Sequence, residues 1–176
     1  MAAVQRLEPG HAADYRALML DAYHRHPDAF TSSVAEREAL PLAWWQARLS
    51  PDPLAAELVL GAFSGSTLTG AAGLSFEARD KARHKATLFG MYVPETQRGT
   101  GVGRQLVQAA LAQARLRPGI RQVLLTVTQG NVAAQALYER CGFVAFGVEP
   151  RAVAVGAGFV NKVHMLCDLG LVASTD

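Results

Sequence analysis

The stretch Arg98-Gly99-Thr100-Gly101-Val102-Gly103-Arg104 decides how this sequence is interpreted, because it joins a predicted strand ending at Val93 to a predicted helix beginning near Val102. Glycines let the backbone approach an anion closely and adopt angles that other residues avoid. The free amides and the positive end of the following helix then face the anion. The stretch therefore predicts a phosphate-binding loop, and the alternative is a tight connection with no ligand.

Two common phosphate-binding motifs do not fit this loop. A P-loop requires the sequence Gly-Lys-Ser/Thr, whereas residues 101–105 are Gly-Val-Gly-Arg-Gln. A dinucleotide-binding turn has the spacing GxGxxG and an acidic residue at the end of the next strand. Here the glycines stand at Gly99, Gly101 and Gly103, and the next strand ends in Thr128-Gln129-Gly130. Both classes of nucleotide-binding protein are therefore disfavoured.

The same loop resembles the R/Q-x-x-G-x-G/A signature of the GNAT family of N-acetyltransferases. The preceding strand, residues 88–93, is similar to the cofactor-facing strand of that family. Further along the chain, Asn131-Val132-Ala133-Ala134-Gln135-Ala136-Leu137-Tyr138-Glu139-Arg140-Cys141-Gly142-Phe143 resembles its N-x-x-A-x-x-L-Y-x-x-x-G-F segment. The resemblance covers residues 88–148, and it implies an acyltransferase that uses acetyl-CoA as co-substrate.

Hydrophobic periodicity predicts the order βαα, three strands, and then αβα followed by two strands. The predicted strands cover 3–7, 57–63, 66–77, 85–93, 123–127, 143–148 and 160–169. The predicted helices cover 10–25, 34–49 with an interruption or a kink near Pro41, 102–116 and 131–141. This order predicts an α/β or α+β fold in a single domain over residues 1–176. The resemblance implies a mixed, mostly antiparallel sheet of six to seven strands with helices on both faces. It also implies a splayed parallel strand pair that forms the acyl-CoA cleft.

The resemblance places the cofactor along the strand and loop around the glycines. The backbone of Met91 and Val93 is expected to pair with the pantetheine amides, and an amide of Met91 or Tyr92 to stabilise the oxyanion. The side chains of Arg98 and Arg104 are expected either to contact phosphate or to lie on the surface. The amides from Gly99 to Arg104 are expected to hold the pyrophosphate. The residues expected to bind the cofactor are Met91, Tyr92, Val93, Arg98, Gly99, Thr100, Gly101, Val102, Gly103, Arg104, Asn131 and Tyr138.

Asn131 and Tyr138 lie two helical turns apart and nearly share one helix face. The resemblance implies that Asn131 contacts the pantetheine and that the Tyr138 hydroxyl lies near the thioester sulfur. A phenol there can protonate the departing thiolate as a general acid. The alternatives are a helix cap for Asn131 and a core aromatic for Tyr138.

Attack by an amine requires that the amine first lose a proton, to a side chain or through ordered water. The candidates for the base are Glu77, near the end of one strand, and His84, near the start of the next. The alternative for each residue is that it is only an exposed residue of the hairpin between the two strands. The resemblance implies direct transfer, and Cys141 faces no evident histidine partner that would make it a nucleophile.

The resemblance implies that the acceptor side is built by the first two helices, their connection and the last strand pair. The residues expected to line the acceptor pocket are Phe30, Thr31, Ser32 and Trp45, with 155–162 nearby. Neighbouring residues on a helix point about 100° apart, so Trp44 and Trp45 cannot both face inward. One tryptophan is expected in the core and the other at the pocket, unless both only pack.

Composition excludes several other classes of protein. The formal net charge is +2 with scattered basic residues, whereas nucleic-acid binding favours a denser basic surface. No apolar run approaches the roughly 20 residues of a membrane span, and residues 1–10 do not resemble a signal peptide. Cys141 and Cys167 lack the spacing of a metal site or a disulfide framework. We therefore expect a cytoplasmic protein with no metal, nucleic-acid or membrane partner.

The sequence thus predicts transfer of an acetyl group to a primary amine of a small molecule, peptide or protein that it does not identify. A cofactor-binding sensor without turnover is one alternative, and a transferase of longer acyl groups is the other. The last two strands also leave a homodimer open.

Overall fold

The computed structural model describes residues 2–170, which form one seven-stranded sheet in the order β1-β2-β3-β4-β5-β7-β6. All neighbouring strands are antiparallel except β4 and β5. The strands are β1 Ala3–Arg6, β2 Glu57–Ser64, β3 Thr67–Phe76, β4 Lys85–Tyr92, β5 Gln122–Thr128, β6 Val144–Val155 and β7 Gly158–Asp168. The predicted mixed sheet of six to seven strands is therefore confirmed.

Helices cover both faces of the sheet, as predicted. They are α1 Ala12–Arg25, α2 Val34–Glu38, α3 Leu42–Ala47, α4 Val102–Leu116 and α5 Val132–Arg140. One buried cluster joins α4 and α5 to the sheet, and a second joins α1 and α3 to the other face. Within residues 2–170, no helix is both long and apolar enough to cross a membrane.

The parallel pair separates after a short paired segment. β4 and β5 pair only from Lys85 to Thr87 and from Gln122 to Leu124. Beyond this point β4 stays paired with β3 as far as Tyr92, while β5 stays paired with β7 as far as Thr128. The second halves of β4 and β5 therefore diverge, which confirms the expected splay and opens a cleft between them.

Two predicted elements have different bounds in the structure, and the predicted domain extends beyond the described residues. The predicted helix 34–49 is two short helices, because Pro41 has an extended backbone and precedes α3. Strand β6 runs to Val155 rather than Val148, across an irregularity in which Arg151 adopts φ 52°. The predicted domain 1–176 includes Met1 and residues 171–176, which lie outside the described residues.

Candidate active site

The glycine loop ends at the N-terminus of α4. Gly99 and Gly101 have φ values of 76° and 87°, a left-handed region that favours glycine. The Gln105 amide donates to the Gly101 carbonyl at 3.0 Å and so starts the bonding of the helix. The amides of residues 102–104 consequently have no partner within α4 and remain available to an anion.

Gly103 lets α4 approach its neighbours closely. A Cβ built on Gly103 would lie 3.2 Å from Leu137 Cδ2 and 3.5 Å from Met91 Cε. A side chain there would therefore press on both α5 and β4. Thr100 lies outside this contact, and its hydroxyl donates to the Gln97 carbonyl at 2.6 Å, within the loop.

The two arginines that flank the loop differ in their contacts. Arg98 Nε donates to the Val93 carbonyl at 3.2 Å, and Arg98 Nη2 lies 3.2 Å from His26 Nε2. Arg98 thus ties the loop to the end of β4 and to the residue after α1. Arg104 is exposed on the first turn of α4. A phosphate role for either side chain stays a prediction.

Strand β4 carries a bulge where it leaves β5. Ala71 of β3 pairs with Tyr92 and Gly73 pairs with Phe89, so Gly90 and Met91 face a single residue of β3. Gly90 has φ 56°, which explains why glycine stands there. The bulge redirects the backbone of residues 90–91 at the cleft. A glycine inside a strand pattern was the available sequence signal for it.

A cavity of about 300 Å³ occupies the cleft. It is bounded by the second halves of β4 and β5, by α5 and by the segment between α1 and α2. Met91 lines it, whereas Tyr92 and Val93 lie outside the lining. Tyr92 is buried instead, and its hydroxyl donates to Asp21 Oδ2 at 2.7 Å.

Asn131 and Tyr138 both line this cavity, so the structure brings the two α5 residues together there. Asn131 Oδ1 accepts from the Ala134 amide at 3.2 Å and caps α5. Tyr138 is buried, and its ring packs against Phe143 with centroids 5.9 Å apart. Burial raises the pKa of the Tyr138 phenol well above its usual value, which keeps it protonated at neutral pH.

Of the four residues predicted to line the acceptor pocket, three line the cavity and one lies in the core. Phe30, Thr31 and Ser32 line the cavity, and they also line a second cavity of about 320 Å³ together with residues 153–156. Trp45 is fully buried between α1 and the sheet, with its ring 5.7 Å from that of Tyr15, and it does not line the cavity. The expectation that Trp45 faces the acceptor is therefore corrected, because α3 turns it into the core.

Neither base candidate reaches the cavity. Glu77 and His84 lie at the paired end of β4, whereas the cavity lies at its splayed end. The cavity lining on β4 begins at Thr87, so His84 lies three residues, about 10 Å along the chain, before it. Glu77 is held by Arg79 at 2.7 Å, and hydrogen bonds from Arg79 lower the pKa of Glu77 to about 2. The structure therefore corrects both assignments.

Three cationic residues that the sequence interpretation missed line the cavity: Arg37, Arg48 and Lys162. Arg48 pairs with Glu57, with Nε 3.2 Å from Oε1. The guanidinium carbons of Arg37 and Arg48 lie 4.7 and 4.8 Å from the Trp44 ring centroid. The residues come from α2, the end of α3 and β7, so no local pattern in the sequence joins them.

Lys162 of β7 is buried, and its side chain contacts the segment that precedes α2. Its ammonium donates to Thr128 Oγ1 at 2.9 Å and to the carbonyls of Ala29 and Asp28 at 3.0 and 3.4 Å. These acceptors are neutral oxygens. Burial lowers the pKa of the Lys162 ammonium, although the charges of Asp28 and Glu149 oppose that effect.

Two solved acetyltransferases share this fold. The chain superposes on a GNAT-family acetyltransferase from Streptococcus pneumoniae with a TM-score of 0.86 and 23% identity, over 97% of this chain and all of that one. It superposes on yncA from Salmonella typhimurium, solved with its cofactor acetyl-CoA, with a TM-score of 0.79 and 22% identity, over 100% and 98% of the two chains.

Curated relatives are more similar but match over part of their length. A mycothiol acetyltransferase from Salinispora tropica is 31% identical over 127 residues, which are 72% of this chain and 39% of that protein. An L-methionine sulfoximine/L-methionine sulfone acetyltransferase from Pseudomonas aeruginosa is 38% identical over 61 residues, 35% of each chain. The chain spans less than half the length of the mycothiol acetyltransferases that it matches.

The sequence profile of the Acetyltransferase (GNAT) family matches residues 18–143. This range contains the glycine loop, the bulge in β4, and the Asn131 to Phe143 segment. It thus includes most of the elements that bound the cavity. Because the match covers well over half of the chain, the protein belongs to the acetyltransferase (GNAT) family.

Proposed function

We propose that the protein transfers the acetyl group of acetyl-CoA directly to a primary amine. The observation that carries this proposal is that Tyr138 and the Gly90–Met91 bulge line one cavity, where β4 and β5 separate. A proton donor and redirected backbone amides at the end of a cleft are the two groups that thioester aminolysis requires.

The residues of the donor side fit acetyl-CoA. The unpaired amides at the start of α4 suit its pyrophosphate, and the open edge of β4 suits the amides of its pantetheine arm. Asn131 stands at the cavity end of α5, within reach of the same arm. Acetyl-CoA supplies the thioester whose carbonyl carbon is attacked.

The proposed step balances with this chain's own groups. The amine nitrogen forms a bond to the carbonyl carbon, and the C–S bond breaks. The nitrogen, which becomes cationic on attack, releases one N–H proton to solvent. Tyr138 donates its phenolic proton to the departing sulfur and regains one from solvent, so no net proton is gained or lost. An amide of the bulge stabilises the oxyanion, and Met91 is favoured over Tyr92 because only Met91 lines the cavity. Cys141 takes no part, since burial raises the pKa of its thiol.

The cationic lining explains how the amine loses its proton without a dedicated base. Within the described residues, no Asp, Glu or His lines the cavity. Arg37 and Lys162, which have no ion-pair partner among the described residues, instead disfavour an ammonium ion beside them. The amine therefore reacts as the neutral species, and its proton leaves to water. Water, and neither Glu77 nor His84, is the proton acceptor in this proposal, since neither residue lines the cavity.

Two alternatives remain distinct from this proposal. A cofactor-binding sensor would bind acetyl-CoA without releasing free thiol in the presence of any amine. A transferase of longer acyl groups would prefer butyryl-CoA or octanoyl-CoA to acetyl-CoA. The retained Tyr138 supports turnover, since a protein that only binds has no need of a proton donor at the sulfur.

The experiment is free-thiol release from acetyl-CoA across a panel of small-molecule amines, amino acids and dipeptides, with N-acetylated product identified by mass spectrometry. The proposal expects acetyl-CoA to be the best donor and at least one amine to give product. Binding of acetyl-CoA with no thiol release from any amine would instead support the sensor.

We also propose that the chain forms a homodimer through β6 and that it resides in the cytoplasm. β6 is an edge strand, and Val144, Phe146 and Val148 on it are exposed. Cys141 and Cys167 are both free, which suits a reducing compartment. Light scattering of the wild type and of Phe146→Asp tests the dimer, which is rejected if the wild type is monomeric.

A further inference from the structure

The acceptor end of the cavity has charged groups that the transfer step does not use. Arg37 lines it from α2, and Arg37 Nε is buried with no hydrogen-bond partner within residues 2–170. No described carboxylate forms an ion pair with Arg37, whereas Arg48 is paired with Glu57. Arg37 therefore lines the cavity as a guanidinium group with no described ion-pair partner, which suits an anionic group of the substrate.

The surroundings hold Arg37 in place for such a partner. Its guanidinium stacks on the Trp44 ring at 4.7 Å, and Arg48 stacks on the same ring at 4.8 Å. Arg48 also lies 5.0 Å from the Phe89 ring centroid, and Phe89 immediately precedes the bulge at Gly90. The two guanidinium groups thus extend from the reacting end of β4 toward α2.

The charged residues that line this end of the cavity are all cationic, because Arg37, Arg48 and Lys162 line it and no described Asp or Glu does. Arg48 is balanced by Glu57, but Arg37 has no described anionic partner and Lys162 contacts only neutral oxygens. A guanidinium group matches a carboxylate in shape and can bind both of its oxygens. The cavity is also small, about 300 Å³ including the acetyl end, which favours an anion only a few bonds from the amine.

We propose that the acceptor is a free α-amino acid or a close analogue, whose carboxylate binds Arg37 while its amine faces the bulge in β4. This inference rests on the proposed function and narrows its acceptor. The aromatic rings of Phe30, Phe89 and Tyr23 line the remaining wall of the cavity. They favour an amino acid with an uncharged side chain. A peptide N-terminus lacks the α-carboxylate, so the same site disfavours it.

The test compares each of the twenty L-amino acids, and L-methionine sulfone, with its own carboxamide as acceptor. The wild type is expected to show a kcat/KM at least tenfold higher for the free acid of its best substrate than for the amide. Arg37→Gln is expected to raise KM for the free acid roughly 10- to 100-fold and to leave the amide unchanged. Arg83→Gln, an exposed arginine outside the cavity, is the matched control.

The outcomes separate this inference from the proposed function. Turnover of amides or dipeptides equal to or better than that of free acids overturns the inference and leaves the proposed function standing. An equal loss on acid and amide in Arg37→Gln also overturns it. No thiol release from any compound overturns both. If Arg37→Gln does not fold, the wild-type comparison of acid with amide decides by itself.

Discussion

Lys162 Nζ donates a 2.9 Å hydrogen bond to Thr128 Oγ1, and this contact joins β7 to the end of β5 inside the wall of the cavity. The Thr128 hydroxyl in turn donates to the Asp28 carbonyl at 2.7 Å. Through these two bonds the segment before α2 is fixed to the sheet. The acceptor residues Phe30 to Ser32 follow directly, so the shape of the acceptor end depends on a buried ammonium group.

This ammonium makes stability depend on pH in a definite direction. Because burial lowers the pKa of Lys162 in the folded chain, the unfolded state binds more protons between that value and the ordinary lysine value of about 10.4. The contribution of Lys162 to the free energy of unfolding therefore rises with pH in that interval. We expect the stability of the wild type relative to Lys162→Met to increase from pH 7 to pH 10.

Urea unfolding of the two proteins at several pH values measures this difference. Lys81→Met, at an exposed lysine, is the control, and its difference from the wild type should not change with pH. If the difference in free energy of unfolding between the wild type and Lys162→Met is constant across the pH range, the pKa of Lys162 is the same in the folded and unfolded states.

Removal of the Tyr138 hydroxyl should slow the chemical step. Tyr138→Phe keeps the ring that packs on Phe143 but removes the proposed proton donor. General acid catalysis is worth roughly 10²- to 10⁴-fold, so we expect a loss of that size in kcat. Calorimetric binding of acetyl-CoA should be unchanged. A kcat within twofold of the wild type would show that another group protonates the thiolate.

The glycine loop can be tested with two glycines of equal backbone conformation. Gly101 and Gly119 both have φ 87° with nothing within 4 Å of a built Cβ, and they stand before and after α4. Alanine at either position is expected to cost about 1–2 kcal/mol of stability. Only Gly101→Ala should also weaken acetyl-CoA binding, by about tenfold, because only it distorts the amides at the start of α4. Equal affinities for acetyl-CoA in both variants would place the pyrophosphate elsewhere.

The pH dependence of kcat/KM should be set by the pKa of the acceptor amine. It should not be set by a carboxylate or a histidine of the protein. Glu77→Gln and His84→Gln are expected to keep kcat/KM within twofold, since both residues lie at the closed end of the parallel pair. The rise of kcat/KM with pH should move when the acceptor is exchanged for an amine of different pKa. This prediction would be contradicted if the pH profile of kcat/KM had the same inflection for all acceptors and lost it in one of the two variants. The residue substituted in that variant would then be the base.

The sequence predicted the parts of this site that a local motif specifies. The loop around Gly101 and the helix from Asn131 to Tyr138 each follow from consecutive residues, and the structure has a loop before α4 and a helix capped by Asn131 at these positions. The bulge at Gly90 had a signal, a glycine inside a strand pattern, but its register against Ala71 and Gly73 depends on the partner strand. Such pairing is not visible in a single segment.

The acceptor side could not be predicted, because it is assembled from distant segments. Arg37, Arg48 and Lys162 come together only when α2, α3 and β7 pack on the splayed strands. Trp45 was assigned to the pocket because neighbouring helical residues diverge, but which of two tryptophans faces inward depends on how α3 is rotated. Glu77 was assigned by its position at a strand end, and only the register of β4 with β5 shows that this end is closed.

The most direct measurement is the stoichiometry of transfer with acetyl-CoA and an amino acid acceptor. Free thiol is measured by absorbance, and N-acetylated product is measured by mass spectrometry in the same reaction. Transfer from acetyl-CoA to an amine predicts one N-acetyl amino acid for each thiol released, and strongly reduced formation of both in Tyr138→Phe. Thiol release without acetylated amine, or formation of product that is unaffected by Tyr138→Phe, would contradict it.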